Sequence, residues 1–562
     1  MNEGEFVRRT ALPVIAALSM ALLLPQSAIG VATAGPQASG TGTAGLGLVD
    51  PPAATGEFEE VGPGMYSTGS QTFEIAENDV AVGSVGRRHT VAAQAGGGVS
   101  KPESAPAGRT DMGVFGPGWE AEFLGGELNQ KLEQQGDAIV VTDLNVGESV
   151  RYLLKSSLDY PDGGGVKKYE TAEGDKLTDT ARWDAATGTL VSTVVETLNV
   201  DLSVADEGQS GGTGEVGDDP VPAANLKPTR TWKQVAPGTN AWRVTSSGNA
   251  AYGVSTVGYD TKGRVSTITE PAVGEALKET VSISYASATT ASGATLGDYS
   301  GRAKEVKVTT GTTTQTLARY AYDASGLLRT VTNPVESSAA VSSYVYDTTG
   351  RVSDIVSPVN GDWDLAYPAT SASPDVLPTG PARPASDAPI EGATGIADET
   401  AVAPPATDIG PGEISDPEAY PRKCSWARHW LYYWKTGCAA WAAHYGWHKP
   451  YFKYTKTGYR VVGINYDGCS TPGPNVSKPG GWNFRPACDM HDYGYGLIGN
   501  TYKGYSYYLD RRKKTAVDDV FYTTLRDKVC SGYFWKRACR ATAWTYRQGV
   551  RAGNPKNGAN KT

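Results

Sequence analysis

Between residues 76 and 368, apolar and polar residues alternate in short runs that end at Gly or Asp. Examples are "DAIVVTDL", "TLVSTVVETL" and "EVKVTTGTTTQTLARYAY". Alternation with a period of two indicates strands buried on one face, and Gly and Asp favour the tight turns between them. The sequence therefore predicts a β-rich region over residues 76–368.

One pattern recurs three times in this region. Each copy reads Tyr-Asp, two small or polar residues, Gly and a β run that ends at Pro: "GYDTKGRVSTITEP" (258–271), "AYDASGLLRTVTNP" (321–334) and "VYDTTGRVSDIVSP" (345–358). We interpret each copy as a hairpin whose turn needs a Gly with positive φ. Such a hairpin cannot bury its own face, so it is expected to stack on its neighbours. The copies resemble YD repeats of the RHS-like family, whose members wrap strands into a shell or spiral. Because the repeats show no ligand cluster or nucleophile pattern, we interpret them as a scaffold.

Towards the C-terminus the period becomes helical. The stretch "KKTAVDDVFYTTLRDKVC" places Asp518, Phe521 and Leu525 at helical spacing, and "ACRATAWTYRQGV" has the same period. A third helix is predicted after Pro486 in "RPACDMHDYGYGLIGN". Residues 421–562 are therefore expected to form a small, mainly α-helical domain.

Composition divides the rest of the chain. Residues 1–34 contain arginines, an apolar run and a small-residue site before Gly35, which predicts a secretory signal peptide. Residues 35–75 are rich in Gly, Ala, Thr and Ser and are predicted to be disordered. Residues 369–420 are rich in Pro, Ala and acids and are predicted to be a linker. We therefore expect a multidomain, secreted, extracellular protein with no transmembrane segment.

Charge and cysteine are distributed unevenly along the chain. Residues 421–562 contain 24 Lys and Arg against seven Asp and no Glu, whereas the remainder contains 27 basic and 53 acidic residues. The basic excess favours an anionic phospholipid membrane surface as partner. An even number of cysteines in a secreted chain predicts disulfides. All six lie in the basic part: Cys424, Cys438, Cys469, Cys488, Cys530 and Cys539.

The stretch "ACDMHDYGYG" (487–496) carries the candidate chemistry. Neighbours on a helix point about 100° apart, so His491 could face a water molecule while Asp492 faces a metal. Two antiparallel helices could bring Asp518 towards His491. The upstream turn "NYDGCSTPG" adds Asp467 and a backbone carbonyl, and oxygen ligands of this kind suit calcium.

Five stretches in order resemble the secreted bacterial phospholipase A2 family: "DGC" (467–469), "ACDMHDYGYG" (487–496), "VDDVFY" (517–522), "KVCSGY" (528–533) and "ACRATAWTYRQGV" (538–550). The resemblance implies a calcium-dependent enzyme that hydrolyses the sn-2 ester of glycerophospholipids. The insertion before the calcium loop and Gly468, where a bulkier residue is usual, depart from the family pattern.

The resemblance also implies a role for each matched residue. His491 would be the general base, and Asp518, in preference to its neighbour Asp519, would orient the imidazole. Asp467, Asp492 and the Gly468 carbonyl would bind calcium. The implied disulfides are Cys469–Cys488 and Cys530–Cys539, and we expect Cys424 to pair with Cys438.

Two alternatives to a phospholipase remain. One is an RHS-like polymorphic toxin with a C-terminal nuclease, because a basic domain suits nucleic acid. The neighbours of His491 lack the further His and Asn residues of a His-Asn-His nuclease. The other is a cell-surface adhesion protein with a degenerate lipase domain, which the presence of His491, Asp492, Asp518 and Asp467 argues against. We expect no nucleic-acid partner and a monomer.

Overall fold

A computed structural model describes most of the β-rich region and most of the predicted C-terminal helices. The described residues are 58–68, 71–92, 109–200, 202, 222–235, 241–274, 276–335, 341–357, 361–368, 371–377, 451–454, 460–463, 469, 477–491, 511–533 and 536–552. All of them belong to one compact unit, Gly47–Thr562. The predicted signal peptide and nearly all of the predicted linker lie outside the described residues.

Five antiparallel strands form the first sheet, which we call the N-terminal sheet. Its strands follow chain order: β1 (Phe58–Val61), β2 (Gly64–Ser67), β3 (Thr72–Val80), β4 (Val85–Ala92) and β5 (Trp119–Glu122). β1, β2 and the start of β3 fall within 35–75, where composition predicted disorder. Each of these strands pairs with its neighbour in the chain, so short polar strands are held by backbone hydrogen bonds.

The next eighteen strands that the structure describes form one sheet that closes on itself, which we call the closed sheet. Consecutive described strands pair antiparallel, so the β-rich region is a succession of hairpins. The strands are β6 (Gln130–Gln135), β7 (Ala138–Asp143), β8 (Glu148–Asp159), β9 (Gly165–Glu170), β10 (Lys176–Asp184), β11 (Thr189–Thr197), β12 (Thr229–Gln234), β13 (Trp242–Asn249), β14 (Gly253–Tyr259), β15 (Val265–Glu270), β16 (Glu279–Tyr285), β17 (Ala303–Thr310), β18 (Thr313–Tyr322), β19 (Leu328–Thr332), β20 (Val341–Tyr346), β21 (Val352–Ser357), β22 (Gly361–Ala366) and β23 (Asp375–Leu377). β23 extends into the stretch predicted as linker.

The three Tyr-Asp copies share one turn geometry. In the third copy, Asp347 Oδ1 accepts hydrogen bonds from the backbone N–H groups of Thr349 (2.8 Å) and Arg351 (3.0 Å). Gly350 has φ +85°, a conformation that glycine adopts at no steric cost. Asp260 and Asp323 accept the equivalent bonds in the other two copies. The predicted hairpin turn is confirmed in all three.

The tyrosine of each copy bonds to the neighbouring hairpin. Tyr346 Oη donates to the Leu328 carbonyl at 2.6 Å, and Tyr259 and Tyr322 donate to the Val244 and Ala303 carbonyls. The guanidinium of Arg329 also lies over the Tyr346 ring, 5.3 Å from its centroid. Successive hairpins are therefore linked side by side, as the stacking argument predicted.

The C-terminal elements begin with a hairpin, β24 (Tyr451–Tyr454) and β25 (Arg460–Gly463). Helix α1 covers 485–491, α2 covers Arg511–Thr523 and α3 covers Lys536–Ala552. α2 continues as a π-helix, Thr524–Val529, and a 3-10 turn, Cys530–Gly532. Other 3-10 turns are Thr110–Met112, Phe123–Gly126, Ala223–Leu226 and Pro479–Gly481. We call the described residues of 477–552 the helical segment.

The helical segment packs on the core face of the closed sheet through one face of α3. Arg547 Nη1 donates to Glu270 Oε1 at 2.6 Å, Arg551 Nε lies 2.9 Å from Glu270 Oε2, and Arg537 pairs with Glu196. The two carboxylates are buried. Because side chains alternate along a strand, each carboxylate lies on the same face of the closed sheet as the buried apolar residue two positions before it in its strand. The acidic β-rich region and the basic C-terminus are therefore complementary within one molecule.

Candidate active site

The chain before His491 folds into α1 for local reasons. Asn483 Oδ1 accepts a hydrogen bond from the Arg485 N–H at 3.3 Å, which caps the first turn. Pro486 follows within that turn, where its missing N–H costs no helical bond. Cys488 and Met490 are buried, so α1 is held by packing with His491 at the last described residue of the helix.

Two disulfides fix the elements around α1 and α2. Cys469 bonds to Cys488 with the Cα atoms 5.0 Å apart, and Cys530 bonds to Cys539 with the Cα atoms 5.5 Å apart. The first joins the residue after Gly468 to α1, and the second joins the end of the α2 extension to α3. Both expected pairings are confirmed. Cys424 and Cys438 lie outside the described residues.

His491 and Asp518 meet across the α1–α2 contact. His491 Nε2 donates to Asp518 Oδ1 at 2.9 Å, and the two residues are 7% and 5% exposed. The Phe521 ring lies one helical turn after Asp518, with its centroid 4.9 Å from that of His491. A carboxylate bonded to one ring nitrogen fixes the tautomer and orientation of a histidine and favours its protonated form. The arrangement suits a supported general base.

Asp518 and Asp519 face different partners. Asp518 and Phe521 lie on the side of α2 that faces His491. Asp519 is about 100° further round the helix and accepts a hydrogen bond from Asn78 Nδ2 of β3. The structure therefore separates the two candidate acids, and Asp518 is the one that bonds to the histidine.

The expected calcium ligands, Asp467, Gly468 and Asp492, lie outside the described residues. Among the described residues, no three His, Cys, Asp or Glu side chains cluster as a metal site would. The Cys469–Cys488 disulfide nevertheless links the two chain segments that carry the expected calcium ligands. Cys469 follows Gly468 directly and is joined to Cys488, four residues before Asp492. Two carboxylates and a carbonyl tethered in this way fit the oxygen preference of calcium.

The N-terminal sheet supplies contacts to the π-helical extension of α2 that were not predicted. Arg88 Nη2 donates to Asp527 Oδ1 at 3.0 Å, and Arg526 Nη2 lies 3.1 Å from Glu122 Oε2. Burial alone would raise the pKa of the Glu122 carboxyl, but the guanidinium groups of Arg526 and Arg88 outweigh burial and lower that pKa. No local pattern could reveal these partners, because they are hundreds of residues apart in the chain.

One family model matches the chain, over residues 448–554, and its description is prokaryotic phospholipase A2. The match spans β24 to α3 and includes the His491–Asp518 pair. It supports phospholipase A2 activity for this C-terminal domain, while the β-rich region lies outside the match. No curated protein matches the chain in a sequence search. No helix in the described ranges is both long and apolar enough to cross a membrane.

Proposed function

We propose that the protein is a secreted, calcium-dependent phospholipase A2 that hydrolyses the sn-2 ester of glycerophospholipids. The observation that carries this proposal is the hydrogen bond between His491 and Asp518 inside the matched range. Because Nε2 of His491 bonds to Asp518, the other ring nitrogen, Nδ1, is the base.

The proposed reaction is direct hydrolysis by water. His491 Nδ1 takes a proton from water as the water oxygen bonds to the sn-2 carbonyl carbon. The bond to the glycerol oxygen then breaks, and His491 returns the proton to that oxygen. The products are a fatty acid and a lysophospholipid. Asp518 stabilises the imidazolium that exists between the two proton transfers.

Calcium would be held by Asp467, the Gly468 carbonyl and Asp492. When bound, it would stabilise negative charge on the ester and phosphate oxygens of the lipid. Two things support this assignment. The donors are the oxygen atoms that calcium prefers, and the Cys469–Cys488 bond tethers the two chain segments that carry these residues.

Secretion and the scaffold are part of the same proposal. Two disulfides support an oxidising destination, which agrees with the predicted signal peptide. The shared Asp turns and Tyr bonds support a YD-repeat scaffold of RHS-like type. Attraction to anionic lipid would come from basic residues other than Arg537, Arg547 and Arg551, because those three pair with buried carboxylates.

The test uses the full-length secreted protein, because the helical segment is packed on the closed sheet. Mixed-acyl phosphatidylglycerol vesicles with a labelled sn-2 chain are incubated with calcium or with a chelator, beside vesicles labelled at sn-1. We expect sn-2 fatty acid to be released only with calcium. Release from sn-1 at an equal rate, or equal release in chelator, would contradict the proposal.

A further inference from the structure

One side of the C-terminal half of α2 and of its π-helical extension is attached to the N-terminal sheet and to the 3-10 turn that follows that sheet. The residues on this side are Asp519, Tyr522 and Arg526, spaced three and four apart. Asp519 is only 1% exposed and accepts a hydrogen bond from Asn78 Nδ2. Asn78 lies in β3, 441 residues away in the chain. The side of α2 that does not face His491 is therefore bonded to another sheet.

The other two attachments converge on a single carbonyl. Tyr522 Oη donates to the Gly125 carbonyl at 2.8 Å, and Arg526 Nη1 donates to the same oxygen at 3.1 Å. Gly125 has φ +63°, and a Cβ at this position would lie 2.3 Å from Tyr522 Cε1. Only glycine allows Tyr522 to approach so closely.

These attachments limit rotation of α2 about its axis. The Asp518 carboxylate lies about 5 Å from that axis, so a rotation of about 10° would move it by about 0.9 Å. Its hydrogen bond to His491 is 2.9 Å long, and a displacement of that size along the bond would lengthen it to about 3.8 Å, beyond hydrogen-bonding distance. The three contacts on the Asp519 side therefore affect where the Asp518 carboxylate lies relative to His491.

We propose that Asn78 is a positioning residue: through Asp519 it sets the rotation of α2 and holds Asp518 on His491. This inference rests on the proposed function for its catalytic consequence. The side chain of Asn78 donates to Asp519 and Ser84, so it acts on His491 through the position of α2. The catalytic machinery of the C-terminal domain is thereby completed by the N-terminal sheet.

The sharpest test exchanges the two partners. Asn78→Asp places two carboxylates against each other. The double variant N78D/D519N restores one donor and one acceptor and transfers the negative charge from position 519 to position 78. Burial lowers the pKa of Arg547, but Glu270 and, to a smaller extent, Asp519 raise it, and Glu270 remains its ion-pair partner in the double variant. Asn333→Asp is the matched control, because Asn333 Oδ1 accepts a bond from Val335 N–H within an exposed turn.

For Asn78→Asp, we expect kcat on sn-2 labelled vesicles to fall about 10- to 100-fold with KM changed less than about twofold. The double variant should recover most of the loss, and Asn333→Asp should match the wild type. A folded Asn78→Asp with wild-type kcat would overturn the inference. So would a double variant as slow as Asn78→Asp alone. If Asn78→Asp does not fold, Asn78→Ala takes its place, with a loss of kcat in the same direction.

A second readout does not depend on hydrolysis. In protein labelled with ¹⁵N-histidine, the His491 signals, assigned with His491→Ala, report which ring nitrogen carries the proton. We expect the Nε2–H tautomer to dominate in the wild type, to lose population in Asn78→Asp and to return in the double variant. An unchanged tautomer in Asn78→Asp would contradict the positioning role even if the wild type hydrolysed no phospholipid, which would sink only the proposed function.

Discussion

His491 Nε2 and Asp518 Oδ1 lie 2.9 Å apart, although the two residues are separated by 27 positions in the chain. Two elements create this contact. The Cys469–Cys488 disulfide fixes α1, and Asn78 of the N-terminal sheet bonds to Asp519 on the far side of α2. The pair is buried, so its hydrogen bond is protected from competition with water.

Replacing Asp518 should separate catalysis from calcium binding. Asp518→Asn removes the charge that supports the imidazolium, so kcat should fall about 100-fold or more. Calcium affinity should stay within about twofold, because Asp518 bonds to the histidine. Asp492→Asn should weaken calcium binding and lower the rate together, with partial recovery at high calcium. Calorimetric calcium titration of both variants checks this, and an equal loss of affinity in the two would contradict the assigned roles.

Burial of His89 should make stability depend on pH. Burial lowers the pKa of the His89 ring to about 4. Its Nε2 accepts a bond from the Val352 N–H at 3.1 Å, and Nδ1 lies 2.9 Å from the Gly118 carbonyl oxygen. A protonated ring would direct a donor at the Val352 N–H.

Because the pKa of His89 is lowered on folding, the free energy of unfolding should fall as the pH falls. The unfolded chain binds a proton at His89 as pH falls below about 6.5, whereas the folded chain does so only near pH 4. The contribution to the free energy of unfolding is therefore complete above about pH 6.5 and is lost between the two values, about 3 kcal/mol in all. Urea unfolding from pH 7.5 to 4 measures it. In a folded His89→Gln protein, the same slope would show that another group titrates.

Removing Glu270 should strongly destabilise the contact between α3 and the closed sheet. Glu270→Gln leaves the buried Arg547 and the partly buried Arg551 beside a neutral group, which costs about 3–5 kcal/mol. Asp298→Asn is the matched control, because its partner Lys304 is exposed to solvent, where an ion pair contributes little to stability. Urea unfolding of both variants at neutral pH gives the comparison. Equal, small losses would mean that the buried pairs do not hold the helical segment.

Opening the second disulfide should cost stability without removing the active-site pair. Cys530 and Cys539 close a short loop, and a disulfide of this loop length contributes about 2–3 kcal/mol to the free energy of unfolding. The double variant C530S/C539S should therefore unfold at lower urea but keep the His491–Asp518 bond. Peptide mapping without reduction checks the pairing in the wild type, where a Cys469–Cys530 peptide would be inconsistent with the structure.

Much of the fold is local in origin and was predictable. The Asp and Gly of each Tyr-Asp copy lie within five residues, so their turn can be inferred from the sequence. Helical spacing indicated the helix that carries Asp518, a helix was predicted after Pro486, and antiparallel packing of the two was expected to bring Asp518 towards His491. β1 and β2 were missed because strands as short as "FEEV" and "GMYS" have too few residues to establish alternation.

The docking of the helical segment could not be predicted from the sequence. The two halves of the chain have opposite charge, but charge alone did not distinguish a lipid partner from an internal one. Which Arg meets which Glu depends on how eighteen described strands close, and Arg547 lies 277 residues from Glu270. Asn78 gave no signal at all, because a single Asn in a strand has no pattern.

The central claim is that His491 is the base of an ester hydrolase. The most direct measurement compares sn-2 fatty acid release by the full chain, by His491→Ala and by His444→Ala, a control histidine with no proposed role, all with saturating calcium. Circular dichroism confirms that each protein is folded. We predict a loss of at least about 100-fold for His491→Ala and wild-type release for His444→Ala. A folded His491→Ala protein that keeps most of the wild-type rate would contradict the claim.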